Sequence, residues 1–361
     1  MMISIDYLKC DIDYDRDGKQ FGNIDLGYSN NENAFGKIPV PIVCIKNGLG
    51  PTLLLSAGNH GDEYEGQVIL RRLIHEIEAT DINGRLIILP ALNYPAVLEN
   101  SRVSPLDQGN MNRSFPGQTG GTPTAAIADY VTTHLLPLSD AGIDLHSGGS
   151  TSYFLPCTYL CTAADPEITR QNMVLINAFN APNTLVVRGE LSASGFDPIA
   201  NRGGVPFIST ELYGGANIDR TATKMGMAGV KSVMKHMGII SDQPQAQTQV
   251  QVQVQVQVQV QSQTGTRFFN AIDGSHYLSA PYSGIFEPAV ELGNEVEKND
   301  IAGQLYSAEE IERSPLTLHF KEAGTVLARR NGARVKRGSH LFLVAKSLSP
   351  DQVLALALVG S

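Results

Sequence analysis

From about residue 38 to residue 238 the chain repeats one pattern: a short apolar run, a polar stretch rich in glycine, then often a segment of helical length. The apolar runs are Val40–Lys46, Thr52–Ser56, Arg85–Leu89, Ile143–Leu145, Thr184–Arg188 and Val205–Thr210. The helix-length segments are Gln67–Ala79, Thr124–Leu136, Pro166–Ala178 and Thr221–Met237, the last with Thr221 as its expected N-cap and Gly238 as its stop. Val/Ile/Leu runs alternating with helices predict an α/β domain whose largely parallel sheet is covered on both faces. Residues 1–38, with Asp, Asn and Gly around short apolar patches, are expected to form cover strands or a hairpin.

The pattern then changes twice. Gln243–Thr264 is low in complexity, with strict Gln–Val alternation from Gln249 to Gln261. Period two fits a strand, but an uncharged repeat of this kind reads better as an extended linker, and no chemistry is assigned to it. From Arg267 short strand-like runs follow. Gly284-Ile285-Phe286 leads through Gly293-Asn294-Glu295-Val296 to Gln304-Leu305, and Gly324-Thr325-Val326 leads through Gly332-Ala333-Arg334-Val335 to Leu341-Phe342. This duplication predicts a small β-sandwich or barrel of biotinyl/lipoyl-carrier shape. No Met-Lys-Met hairpin occurs in it, so a packing or oligomerisation module is expected. The expected division is residues 1–240 as the main domain, 241–265 as linker and 266–361 as the C-terminal β-domain.

Composition narrows the function. A chain of 361 residues is long enough for one large core and a smaller second one. Hydrophobic and charged fractions of 42% and 17% suit a globular protein. A net charge of -9 argues against a nucleic-acid partner or an anionic membrane surface. No run reaches the roughly 18–20 apolar residues of a membrane span, and the start, with Asp6, lacks the basic region of a signal peptide. Cys10, Cys44, Cys157 and Cys161 form no C-x-x-C pair and read as buried thiols, so a cytoplasmic address is expected.

In α/β sheets, ligands bind beyond the carboxyl ends of the strands, and four runs here end in polar groups. His60 and Glu63 follow Leu53–Ser56, Asn93 follows Ile87–Leu89, His146 follows Ile143–Leu145, and Glu211 closes the run that ends at Thr210. His60 and Glu63 stand as H-x-x-E in a glycine-rich loop, and His146 is the best third ligand, the His/His/Glu set that leaves a catalytic zinc one open position. Asp144 shares a strand face with His146 and is a candidate to orient it. Glu211, flanked by Gly214 and Gly215, is the preferred general base; Glu65, Glu190 and Asp107 compete with it. Arg113, in Gly109-Asn110-Met111-Asn112-Arg113-Ser114-Phe115-Pro116-Gly117, is a candidate clamp for a substrate carboxylate. Arg102, upstream in the same loop, is a candidate to polarise a scissile carbonyl. His75, His134, His236, His276, His319 and His340 are read as surface or otherwise satisfied residues.

Taken together, H-x-x-E at His60/Glu63, Asn-Arg at Asn112/Arg113, Asp-Leu-His ending at His146 and Glu-Leu-x-Gly-Gly at Glu211 stand in the order of the succinylglutamate desuccinylase/aspartoacylase family. The resemblance spans roughly residues 38–345. It implies a zinc-carboxypeptidase-like mixed sheet with a C-terminal β-domain, and one Zn2+ per subunit on His60, Glu63 and His146. It also implies that Glu211 activates water and that Asn112 and Arg113 bind the substrate carboxylate. The Asn-x-Asn-Arg-Ser-Phe-Pro-Gly form is most similar to bacterial N-acetyl-diaminobutyrate deacetylases of ectoine breakdown. The expected function is therefore zinc-dependent hydrolysis of a small N-acyl amino acid by a homo-oligomer, a dimer or larger. The alternatives are a carboxypeptidase acting on peptides with the same site, and a non-catalytic scaffold assembled through the β-domain.

Overall fold

The structure, a computed structural model, describes residues 8–241 and 265–358 except 30, 32, 33, 190, 191, 193, 272 and 273. Most of the expected linker, residues 242–264, and the candidate base Glu190 lie outside the described residues.

In chain order the main domain runs β1 (Leu8–Cys10), β2 (Gly18–Gly27), β3 (Lys37–Asn47), β4 (Thr52–Ala57), α1 (Tyr64–Glu76), β5 (Gly84–Leu89), α2 (Tyr94–Glu99), α3 (Met111–Ser114), α4 (Pro123–Tyr130) and β6 (Ala141–His146). It continues β7 (Ser152–Phe154), β8 (Cys157–Cys161), α5 (Pro166–Phe179), β9 (Asn183–Val187), α6 (Phe196–Arg202), β10 (Phe207–Glu211) and α7 (Arg220–His236). Strands β5, β4, β6 and β10 are adjacent and parallel; β3 joins β5 antiparallel on one side, and β8 joins β10 antiparallel on the other. Among the described N-terminal residues, β1 and β2 extend the edge of the sheet beyond β3.

Strand alternation divides the core in two. Leu53, Leu55, Ile143, Leu145 and Ile208 face α1, α5 and α7, whose Leu73, Ile176 and Val233 meet them. Leu54, Leu89 and Phe207 face the other way, onto Met111 and Phe115 of the α3 region, Ile127 of α4 and Phe196 of α6. Toward the carboxyl ends this second face turns polar: Ser56 follows Leu54, Asp144 and His146 stand on β6, and Ser209 and Glu211 follow Phe207. The expected N-cap Thr221 is replaced by Asp219, whose Oδ1 accepts the Ala222 N–H at 2.7 Å. An Asp one residue ahead of the first turn meets that free donor better than a Thr already inside the helix.

Beyond residue 264 come β11 (Arg267–Asn270), β12 (Tyr277–Ser279), β13 (Gly284–Pro288), β14 (Glu295–Val296), β15 (Ile301–Ser307), β16 (Leu316–His319), β17 (Gly324–Arg330), β18 (Arg334–Val335), β19 (His340–Leu348) and α8 (Pro350–Leu358). The duplication is visible as exchange between its halves: β13 pairs with β18, and β14 with β17. Phe286, Leu305, Val326, Val335 and Phe342 fill the sandwich. The two domains share one sheet, because β11 pairs with β9 on one edge and β19 on the other. In addition β17 pairs with β7, the strand that follows the His146 loop.

Candidate metal centre and active site

The loop after β4 is shaped by two glycines. Gly58 has φ +70°, and a side chain on Gly61 would meet the Ala96 carbonyl at 2.0 Å. The loop is stitched to the segment beyond β5 by Leu92 N–H to Ala57 O and Asn93 N–H to Gly58 O, both 2.9 Å, while Gln67 Nε2 donates to the Gly61 and Glu63 carbonyls. Glu63 is the N-cap residue of α1 but makes no side-chain cap, so its carboxylate is free to turn into the cleft.

Two imidazoles converge on that carboxylate. His60 Nδ1 lies 2.7 Å from Glu63 Oε1, and His146 Nδ1 lies 2.8 Å from Oε2, which also accepts the Ser147 N–H at 3.1 Å. All three side chains are buried, and their ligand atoms fall within 4.8 Å of one another. Each ring is held from behind: His60 Nε2 faces Asn110 Oδ1 at 3.2 Å, and His146 Nε2 faces Asp144 Oδ2 at 2.7 Å. An oxygen acceptor behind each Nε2 favours the tautomer that keeps the Nδ1 lone pair inward. Asp144 is fixed in turn by Ser56 Oγ at 2.6 Å and Asn59 Nδ2 at 2.9 Å. Two inward nitrogens and a carboxylate, each braced by a second polar group, fit a tetrahedral ion such as Zn2+ with one position left open.

The charges agree with this arrangement. Burial pushes the Glu63 carboxyl up, but the two imidazoles outweigh it and hold it far below its usual range. Burial likewise opposes charge on Asp144 and His146, and their mutual attraction wins, lowering the acid and raising the base.

Glu211 is the register partner of His146 in the parallel β10–β6 pair, so both side chains leave the same face. Its Oε2 makes no hydrogen bond to the described residues. Burial, reinforced by the charge of Glu63, pushes its carboxyl up to about 8. Among the described competitors, both Asp107 oxygens accept hydrogen bonds, while Glu65 Oε2, like Glu211 Oε2, has no partner among the described residues. Asp107 accepts from Thr124 N and Oγ1 and from Gly109 N, which fixes the start of α4 and, against the effect of burial, lowers its pKa. Glu65 is fully buried and accepts from Gly214 N–H, beneath the loop after Glu211.

Arg102 reaches the centre, with Nη1 3.4 Å from Glu63 Oε1 and 3.3 Å from His60 Nδ1. The segment 110–113, around the single turn of α3, carries three polar side chains toward the cleft side. Asn110 braces His60; Asn112 Oδ1 accepts the Phe196 N–H at 3.0 Å, leaving its amide nitrogen for other work; Arg113 is exposed and forms no ion pair among the described residues. Asn93 is wholly buried, and neither its Oδ1 nor its Nδ2 has a hydrogen-bond partner among the described residues. The C-terminal domain also touches the site: Asn331 Nδ2 donates to Ser150 O, and Asn331 N to Thr151 O, on the loop after His146.

Sequence reasoning brought together His60, Glu63, His146, Glu211, Arg102 and Asp144. It passed over Asn110, Ser56 and Asn59, although each lies within or beside a stretch already singled out. The missing signal was spatial, since the partners are 50, 88 and 85 residues away. None of the four cysteines forms a disulfide; three are buried and Cys10 is half-buried. No helix among the described residues is long and apolar enough to cross a membrane.

Comparisons with known proteins find relatives along nearly the whole chain. The family profile described as the succinylglutamate desuccinylase/aspartoacylase catalytic domain matches residues 49–237. The chain is 34% identical over 336 residues to the N-alpha-acetyl-L-2,4-diaminobutyric acid deacetylase of Halomonas elongata, covering 93% of this chain and 94% of that one. The product-bound ectoine utilization protein EutE (DoeB) of Ruegeria pomeroyi superposes with a TM-score of 0.85 at 34% identity, over 95% of this chain and all of that one. A succinylglutamate desuccinylase from a Silicibacter species gives 0.84 at 32%, over 94% and 98%.

Proposed function

The chain belongs to the succinylglutamate desuccinylase/aspartoacylase family, and we propose that it hydrolyses the amide bond of a small N-acyl amino acid, N-acetyl-2,4-diaminobutyrate in particular, with zinc as cofactor. The observation that carries this reading is the convergence of His60, Glu63 and His146, with Glu211 in register beside them and its Oε2 unpaired among the described residues. Similarity to the Halomonas deacetylase over nearly the full length of both chains supports the choice of substrate.

His60, Glu63 and His146 would hold the ion, which when bound supplies Lewis acidity toward an amide carbonyl and toward water. Asn110 and Asp144 keep the two rings aimed. Glu211 takes the proton of the attacking water and returns it to the leaving amine nitrogen. A dication nearby favours the ionised carboxylate and opposes the burial that raises its pKa. Arg102, beside Glu63, offsets negative charge developing on the carbonyl oxygen. Arg113 engages the substrate α-carboxylate with its guanidinium, and the Asn112 amide nitrogen adds a donor. A dimer or larger assembly in the cytoplasm belongs to the same proposal.

Purified protein is assayed for metal content and for release of acetate or succinate from N-acetyl-2,4-diaminobutyrate, N-acetylaspartate and N-succinylglutamate, with short peptides in parallel. Acetate release that tracks zinc occupancy is expected. Faster removal of C-terminal residues from peptides, or zinc-loaded protein inert toward all the acyl amino acids, would refute the reading.

A further inference from the structure

Among the described residues, one buried carboxylate of the catalytic face has no task in the reaction above. Asp197, at the second position of α6, is 9% exposed, and its Oδ1 accepts a 2.7 Å hydrogen bond from Ser209 Oγ. Ser209 precedes Glu211 by two residues on β10, so both side chains leave the same face, and Ser209 is the register partner of Asp144. Asp197 thus belongs to a polar layer one step beneath Glu211 and His146, above a ring cluster in which Phe115 stacks on Phe196 and Phe207 tilts against it. The start of α6 is tied to the substrate side of the cleft by Asn112, which accepts the Phe196 N–H and is followed in sequence by Arg113.

No cation pairs with Asp197 among the described residues. Its hydrogen bond comes from a neutral hydroxyl, while Asp144 and His146 are occupied with each other. Burial, reinforced by Asp144 and only partly offset by Ser209 and the more distant His146, pushes its carboxyl up to about 6. A buried carboxylate lacking a counter-charge is costly, and a ligand ammonium would remove that cost.

We propose that Asp197 receives the side-chain ammonium of a cationic N-acyl amino acid, so that the site prefers a short aminoalkyl side chain to a neutral one of equal size. The proposal rests on the deacylase reading above. Its dimensions are consistent: two residues along a strand span roughly 6.6 Å, and the four single bonds from the scissile nitrogen to a γ-amino group reach about 5 Å. An amide held at the Glu211 rim therefore carries its γ-ammonium down to the Ser209–Asp197 layer.

The test compares N-acetyl-2,4-diaminobutyrate with N-acetylnorvaline, which has a methyl group in place of the ammonium, on zinc-loaded wild type and Asp197→Asn. Calorimetric binding of free 2,4-diaminobutyrate and norvaline runs alongside. Wild type should favour the cationic substrate. Asp197→Asn should lose about 30-fold in kcat/KM toward it, chiefly through KM, while the neutral substrate changes by less than about threefold. Asp197→Glu, which keeps the charge on a longer stem, should shift the preference toward the shorter N-acetyl-2,3-diaminopropionate, and it serves if the Asn variant folds poorly. Equal losses on both substrates, an unchanged preference in Asp197→Asn, or a wild type that prefers the neutral substrate would overturn the proposal. A wild type that binds diaminobutyrate through Asp197 yet cleaves neither substrate upholds it and refutes the deacylase reading instead.

Discussion

Replacing Asp144 separates a positioning role from mere burial, and its size can be worked from the contacts. Three donors face the carboxylate: Ser56 Oγ at 2.6 Å on Oδ1, Asn59 Nδ2 at 2.9 Å and His146 Nε2 at 2.7 Å on Oδ2. In Asp144→Asn the amide oxygen can take the Oδ2 place and keep two of them, and the Ser56 hydroxyl can turn to accept from the new NH2. Geometry then survives and only the charge is lost. The charged hydrogen bonds from Ser56 and Asn59, roughly 1.5–3 kcal/mol each, fall toward neutral strength and the 2.7 Å His146 contact loses its charge partner, so zinc affinity should fall about tenfold. Asp144→Ala leaves all three donors unpaired in a fully buried space and should cost about 100-fold or more, near the top of the range for partners of metal-bound histidines. Competition with a chelator of known affinity at fixed pH gives both dissociation constants, and kcat at saturating zinc should fall far less than affinity does. An Asn variant within twofold of wild type, or an Ala variant no worse than the Asn one, would show that Asp144 does not orient His146.

Other outcomes follow from the same geometry. Glu211→Gln should retain zinc but lose about 10²–10⁴-fold in kcat; near wild-type turnover would assign the base elsewhere. Arg113→Lys replaces a planar fork by a point charge and should raise KM about tenfold with kcat nearly unchanged; an equal fall in kcat would tie Arg113 to the chemical step. Metal uptake should release protons. Without metal, Asp144 and Glu63 hold the His146 imidazole protonated well above its usual range, and Glu211, pushed up to about 8, is about nine-tenths protonated at pH 7. Zinc requires the imidazole free and favours the ionised carboxylate, so apparent affinity should rise with pH across the neutral range. Calorimetry in two buffers of different ionisation heat should count about one proton fewer for Glu211→Gln than for wild type, and equal counts would contradict the raised Glu211 pKa.

Much of the fold was legible because its signals are local. The runs at β4, β5, β6 and β9 are continuous and apolar, and the helices α1, α5 and α7 between strands carry regular spacing, so their existence could be read one segment at a time. Strand β8, Cys157-Thr158-Tyr159-Leu160-Cys161, was missed, as was the short helix α6, Phe196–Arg202. Neither is long or periodic enough to stand out, and each is held by neighbours distant in sequence: β8 by β10 and β9, α6 by Asn112. The C-terminal duplication was visible as repeated turn signals. That its halves exchange strands, and that β17 reaches across to β7 beside the His146 loop, required the pairing itself.

The sequence by itself determined which groups were available and at which strand ends they would emerge: His60 and Glu63 after β4, His146 at the end of β6, Glu211 at the end of β10. The alternation of side chains and the direction of parallel strands make this a local property. Only the tertiary structure decided what those groups become. The β6–β10 register sets Glu211 against His146, α3 brings Asn110 behind His60, and the polar layer seats Asp197 on Ser209. These contacts join residues tens of positions apart or on different elements, and register and packing angle have no signature in any single stretch of chain.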